Sequence, residues 1–239
     1  MRQFLLLLTA VVMGASARAQ ELTPDEKDRL DAMDQAYSAD KKTAAFDYAW
    51  LLYRTSDRAN WRKADEVLKE VIAQQDSDPE STTYGQWGWT RRDGESFGDL
   101  NRALFRADVM FVKLWEQQDR MSRSARSAFR ESCRRLTEAA RRRWDTEIFD
   151  VGRDFTAYSN IFVLYVEALM LAGERFGDAR MKKMAKSQWA RWYNHISVFG
   201  IDEFASPAYN YVIFSHLPNI HDFSHDERIE RESKEVMDH

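Results

Sequence analysis

Cysteine is nearly absent: Cys133 is the only one in 239 residues. No internal disulfide can form, so the fold must be held by packing. Cys133 lies in a helical pattern among apolar positions and reads as a small core residue rather than a reactive thiol. Glycine and proline are also scarce, at nine and four, which argues against a turn-rich β-sandwich. The formal net charge of -4 is modest and gives no basis for bulk nucleic-acid binding. No HExxH, CxxC, Walker loop, GxSxG or GxGxxG occurs. Metal ligation, nucleotide binding and serine-hydrolase chemistry therefore have no support, and no cofactor is expected.

One short apolar run is present. Arg2 precedes Phe4 to Met13, and small residues lead on to Ala17-Arg18-Ala19, just before Gln20. This is the layout of a cleavable export signal over 1–19. The run is about half the ~20 residues that span a bilayer, and no lipid-attachment cysteine comes after it. The sequence thus predicts a periplasmic or secreted protein with no membrane contact after cleavage between Ala19 and Gln20. The chain is 44% hydrophobic and 13% aromatic, enough for one sizeable domain, assigned to 20–220.

Periodicity divides this domain into helix pairs, 43–54 with 60–73, 100–116 with 123–144, and 159–173 with 178–198. The first member of each pair is apolar nearly all round, as in the run from Asn160 to Ala172, and should be buried on most sides. The second is amphipathic. In 123–144, Ala125, Phe129, Cys133, Leu136 and Ala140 make one stripe, and Arg126, Arg130, Arg134 and Arg141 a basic one beside it. The basic stripe is either a solvated face or a surface for an acidic polymer. The inner helices start near 43, 100 and 159, that is 57 and 59 residues apart. The prediction is an all-α fold of stacked helical hairpins. A further inner helix is expected from Ser206-Pro207 to Leu217. The charged segment 221–239 offers only Ile229 and Val236 as anchors, and is expected to fray or to lack order.

Long connections, 76–99 and 145–158, separate the pairs and gather at one end, where function usually resides. The first carries Trp87, Gly88, Trp89, Arg91 and Arg92. Its tryptophans either stack on sugar rings or plug the loop onto the helices, and its arginines suit carboxylates or sulfates. Asp99 is a natural N-cap, with Asn101 at the helix mouth. Tyr158, Ser159 and Asn160 sit at the next mouth, either as caps or as chemical groups. Glu203 and Tyr209 flank the start of the last inner helix. His195 lies one turn before that loop and reads as structural.

The order of these motifs resembles the N-terminal part of secreted bacterial (α/α)-toroid proteins, the six-hairpin group of heparinase-like and alginate-lyase-like polysaccharide lyases. It rests on Asp99-Leu100-Asn101, Tyr158-Ser159-Asn160-Ile161, Ala172-Gly173-Glu174-Arg175-Phe176-Gly177 and Glu203-Phe204-Ala205-Ser206-Pro207-Ala208-Tyr209. The resemblance implies an incomplete (α/α) toroid and an acidic polysaccharide or oligosaccharide ligand. It implies catalysis by Tyr158 or Tyr209 as proton shuttle and Asn160 as neutraliser of the uronate. Trp87, Trp89, Arg91 and Asn101 would bind substrate. A glycoside hydrolase on the same scaffold would instead pair Asp99 with Glu203. The array is shorter than six hairpins. Self-association or a partner chain would complete it, or the chain is a non-catalytic module that binds a glycan or a protein.

Overall fold

The computed structural model describes residues 21–41, 45–90, 96–97, 101–146, 159–201 and 205–238. The segment 1–19 expected to be an export signal, and with it the expected cleavage site, lies outside this range. The described chain is all-α apart from a two-residue antiparallel pair, β1 (Trp89–Thr90) and β2 (Ser96–Phe97).

Helix α1 (Pro24–Ala39) opens on a capping box. Thr23 Oγ1 accepts from the Glu26 amide at 3.3 Å, and a Glu26 carboxylate oxygen accepts from the Thr23 amide at 2.8 Å, which satisfies two otherwise orphaned donors. Helices α2 (Phe46–Arg54) and α3 (Arg58–Ala73) form the first hairpin. Next comes an irregular helical stretch: a 3₁₀ turn Leu104–Arg106, a π-helical segment Asp108–Leu114 and a second 3₁₀ piece Trp115–Arg120. The long α4 (Arg123–Thr146) follows and packs chiefly on α3 and α5. Helices α5 (Ser159–Phe176) and α6 (Ala179–Phe199) are joined by a tight turn at Gly177, whose φ of +67° suits glycine. Helix α7 (Pro207–Ser224) starts at the Ser206 cap with Pro207 in the first turn, and α8 (Glu227–Asp238) folds back beside it.

The inner–outer alternation is present. Every residue of α5 from Ser159 to Gly173 is buried. Helix α2 buries Phe46, Tyr48, Ala49, Leu51, Leu52 and Tyr53. Outer helices bury one stripe only, such as Ala185, Trp189 and Trp192 in α6. The inner elements lie side by side in the order α2, 104–120, α5, α7. Cys133 is fully buried in this core, and burial pushes its thiol up, as expected of a structural cysteine.

Two expectations are corrected. The second inner helix is not a regular α-helix but alternates 3₁₀ and π turns. The charged segment is helical over most of its described residues, His221 to Asp238. Helix α7 runs on through Pro218 to Ser224, and α8 is pinned by Ile229 and by Glu232. The Glu232 carboxylate accepts from Trp189 Nε1 at 2.8 Å and Arg228 Nε at 2.6 Å. A buried acid satisfied in this way is tolerated where a bare one is not. Helix α8 thus supplies the outer member of a fourth hairpin.

Candidate functional site

The residues expected at the inner-helix mouths fall into three groups. Tyr158, Glu203, Arg91 and Asp99 lie outside the described residues, as does the side chain of Trp89. Trp87 and Asn160 are described and buried. Asn101 and Tyr209 are the two that reach solvent.

Trp87 is 1% exposed and cannot stack on a sugar. The edge of Phe46 meets its ring at a centroid separation of 5.5 Å, and the Arg106 guanidinium covers it at 4.9 Å. Its indole N–H donates to the Val71 carbonyl at 2.9 Å. Of the two readings of this loop, Trp87 takes the plug. The surrounding loop is bound just as firmly. Gln86 Oε1 accepts from the Ala103 amide, and Gln75 bridges Gly85 and Ser132. A β-carbon on Gly85 would stand 2.2 Å from the Arg135 carbonyl oxygen, so only glycine fits against α4 there. Burial pushes Arg106 down to about 10, helped by neighbouring Arg102 and opposed by Asp47.

Asn160 sits inside the first turn of α5, where its Oδ1 accepts from the amide of the next residue, Ile161, at 2.6 Å. Ser159 accepts from Trp192 Nε1 at 3.1 Å. Tyr209, 44% exposed, begins α7, so Asn160 and Tyr209 do occupy the N-terminal ends of adjacent inner helices. His195 contacts the Phe199 ring at 5.1 Å.

A different set of polar groups converges deeper in the inner layer. Glu167 stands fully buried in the middle of apolar α5. His216 Nδ1 of α7 lies 2.7 Å from one Glu167 oxygen. Among the described residues neither atom has a well-aligned hydrogen bond, and the contact is a charge pairing when His216 is protonated. Asn219 Nδ2 donates to the other Glu167 oxygen at 2.6 Å and to Asp108 at 3.2 Å. Asp108 then meets Lys113 at 3.1 Å, and Lys113 meets Asp47 at 3.7 Å. The chain of charges runs through all four inner elements. Burial raises the Glu167 carboxyl above its ordinary range against the pull of His216. Burial alone would lower His216, but the Glu167 carboxylate more than offsets this and raises it. Sequence reading passed over this set. The single Glu in the Asn160–Ala172 run was its one visible sign.

This network lies on the side of α7 that meets α5, while α8 packs beside it. Ile213, Leu217 and Ile220 are buried on that face, with His216 and Asn219 beside them. The opposite face carries Tyr211, 75% exposed, and Phe214, 37% exposed. Val198 and Phe199, at the end of α6 one loop earlier, are also bare. Among the described residues no group of three or more His, Cys, Asp and Glu is placed to hold a metal ion, and no helix is long and apolar enough to cross a membrane.

Fold and site together define an all-α protein of inner and outer helices, with a buried charge network and a bare aromatic face on the inner helix α7. The chain belongs to the family described as Domain of unknown function (DUF8769), whose family model matches residues 25–239. No curated protein and no solved structure matches it.

Proposed function

We propose that this protein is a non-catalytic helical-hairpin module that binds through the outward face of α7, and that the surface it binds is the same face of a second copy. The observation that carries this reading is the exposure of Tyr211 and Phe214 on the outward face of an inner helix, whereas no aromatic of α2 or α5 is exposed. Tyr211 and Phe214 leave on the order of 200 Å² of aromatic surface bare, given the ~200 Å² of one aromatic side chain. A standard interface buries ~800 Å² per partner, so surface around these two rings would complete it. A two-fold pairing needs only one self-complementary patch, and it would close the hairpin layer as expected of an incomplete array.

Light scattering coupled to size exclusion tests this. A mass twice that of the chain, returning to monomer in Tyr211→Glu/Phe214→Glu, is the expected outcome. A monomer at all concentrations up to about 100 μM, where a micromolar interface would be filled, rejects self-docking.

A second reading keeps the resemblance to polysaccharide lyases: an exported carbohydrate-active enzyme on an (α/α)-toroid scaffold. It is favoured by Asn160 and Tyr209 standing at the same ends of neighbouring inner helices. Acidic polysaccharides incubated with the protein would then yield unsaturated uronate ends, seen by ultraviolet absorbance, and Tyr209→Phe would remove them. Against this reading stand the burial of Asn160 and of Trp87.

A further inference from the structure

The arginines of α4 expected to form a solvated stripe do not all face water. Arg126 and Arg130, one turn apart, are half-buried. With Arg175 of α5 they line a cavity of about 400 Å³, floored by Trp115 and Gln118. This is within the roughly 300–1,000 Å³ of small-ligand pockets.

The three guanidiniums differ in what they hold. Arg175 Nε donates to the Phe111 carbonyl at 2.8 Å, and its Nη2 to Glu116 at 2.6 Å. Arg130 lies over Trp115 at 5.0 Å and over Phe176 at 5.8 Å, and reaches Gln118 Oε1 at 3.2 Å. Neither it nor Arg126 has a carboxylate partner among the described residues. Arg126 Nε is moreover buried with no acceptor among the described residues. The two acids on the cavity wall, Glu116 and Asp119, are exposed at its rim, and Glu116 is already engaged by Arg175.

Such an arrangement is unfavourable when empty. Like charges one helical turn apart repel, and a buried guanidinium donor without an acceptor forfeits its hydration. Trp115 and Phe176 hold the Arg130 fork in place, so little side-chain freedom is left to lose on binding. A planar fork pair of this kind matches the oxygen edges of a tetrahedral oxyanion.

We infer that the Arg126–Arg130–Arg175 cavity is a binding site for a tetrahedral oxyanion group, a sulfate or phosphate carried as an ester or as the free ion. The site is independent of the proposed docking edge. It lies at the C-terminal end of α5, whereas Tyr211 and Phe214 lie in the first half of α7.

Thermal melting of the full protein in inorganic sulfate, inorganic phosphate and chloride at matched ionic strength tests this. Sulfate or phosphate should raise Tm by roughly 5 °C at a hundredfold excess over Kd. Titration calorimetry should show binding weakened at least tenfold in Arg126→Gln and in Arg130→Gln. Arg134→Gln, whose arginine pairs with Glu131 outside the cavity, should bind as the parent does. A sulfated disaccharide and a phosphate monoester, each against its unsubstituted form, separate the sources, and tighter binding of either ester over the free ion assigns that source. Equal melting in all three salts overturns the site, as does undiminished binding by Arg126→Gln.

Discussion

The two edges of the inner-helix layer are finished in different ways. At one edge α2 is covered by α1. Asp34 of α1 accepts from the Tyr48 hydroxyl and from Lys63, Glu26 pairs with Arg54, and Tyr37 packs on Tyr48 at 5.6 Å. At the other edge α7 is fixed by a buried His216–Glu167 pairing, and its outward aromatics are left to solvent. Both edges use a charge to seat a helix. In α1 the charges sit near the surface and the apolar faces are closed. In α7 the charge is deep and the apolar face is open. The difference separates holding a helix in place from covering it: α8 packs on part of α7, and the face with Tyr211 stays open.

The largest effect should come from breaking the deep attachment. His216→Ala leaves the fully buried Glu167 with Asn219 alone. Removing one member of a buried pair costs about 3–5 kcal/mol, or on the order of 10 °C in Tm for a chain of this size. Calorimetry measures this. A change below about 2 °C would mean that the pairing does not seat α7. Glu167→Gln, nearly isosteric and uncharged, should cost far less than His216→Ala.

Acidity probes the same attachment more gently. The folded state holds the Glu167 and His216 protons more tightly than the unfolded chain does. Groups with raised values stabilise the fold below their ordinary values of 4.5 and 6.5, and lose that contribution as pH climbs through the raised ones. Urea midpoints should therefore fall as pH rises through and above the ordinary histidine range, when His216 becomes neutral beside a charged Glu167. His216→Asn should flatten that part of the curve. A midpoint that rises across the same window would reverse the sign and refute the assignment.

At the covered edge the expected effect is smaller. Asp34→Ala strips the acceptor from the buried Tyr48 hydroxyl and the partner from Lys63, in a partly exposed setting. About 1–2 kcal/mol is expected for an orphaned buried donor of this kind, readable in urea unfolding monitored by tryptophan fluorescence. Loosening α1 should also expose α2, so a dye that reports apolar surface should bind Asp34→Ala more than Tyr211→Glu.

Sequence periodicity reached the architecture because burial is written locally. A run such as Ile161 to Met170 leaves no polar face, and Trp189, Trp192 and Ala185 mark a stripe on one outer helix. The hairpin pairing came from these patterns and from spacing. Partnership is not written locally. Glu167 lies 52 residues from Asn219 and draws meaning only from it and from His216. Likewise Glu232 made the final segment look too polar to pack, until Trp189 of another helix supplied its donor. Trp87 lies in a polar loop, yet its partner is a backbone carbonyl of α3 that composition cannot reveal. The arginine stripe shows the same limit. Its period was legible, but the rings that draw Arg130 inward come from other elements.

The smallest change in folding energy, and the most informative about the open edge, is expected from Tyr211→Glu. Its ring is three-quarters exposed, so nothing in the monomer's core depends on it. Substitutions at such positions usually stay within about 0.5 kcal/mol. Association changes the expectation in one respect only. If two copies meet through α7, the parent's Tm must rise with protein concentration, because the dimer is favoured by mass action. Tyr211→Glu would place a carboxylate against its own symmetry mate, so its Tm should be independent of concentration and equal to the parent's at high dilution. Ile213→Ala, two residues away but on the buried face, should lower Tm at every concentration alike. A parent Tm that does not move over a hundredfold range of concentration would leave the aromatics of α7 without a second copy to cover them, and would shift the case for this face toward the carbohydrate reading.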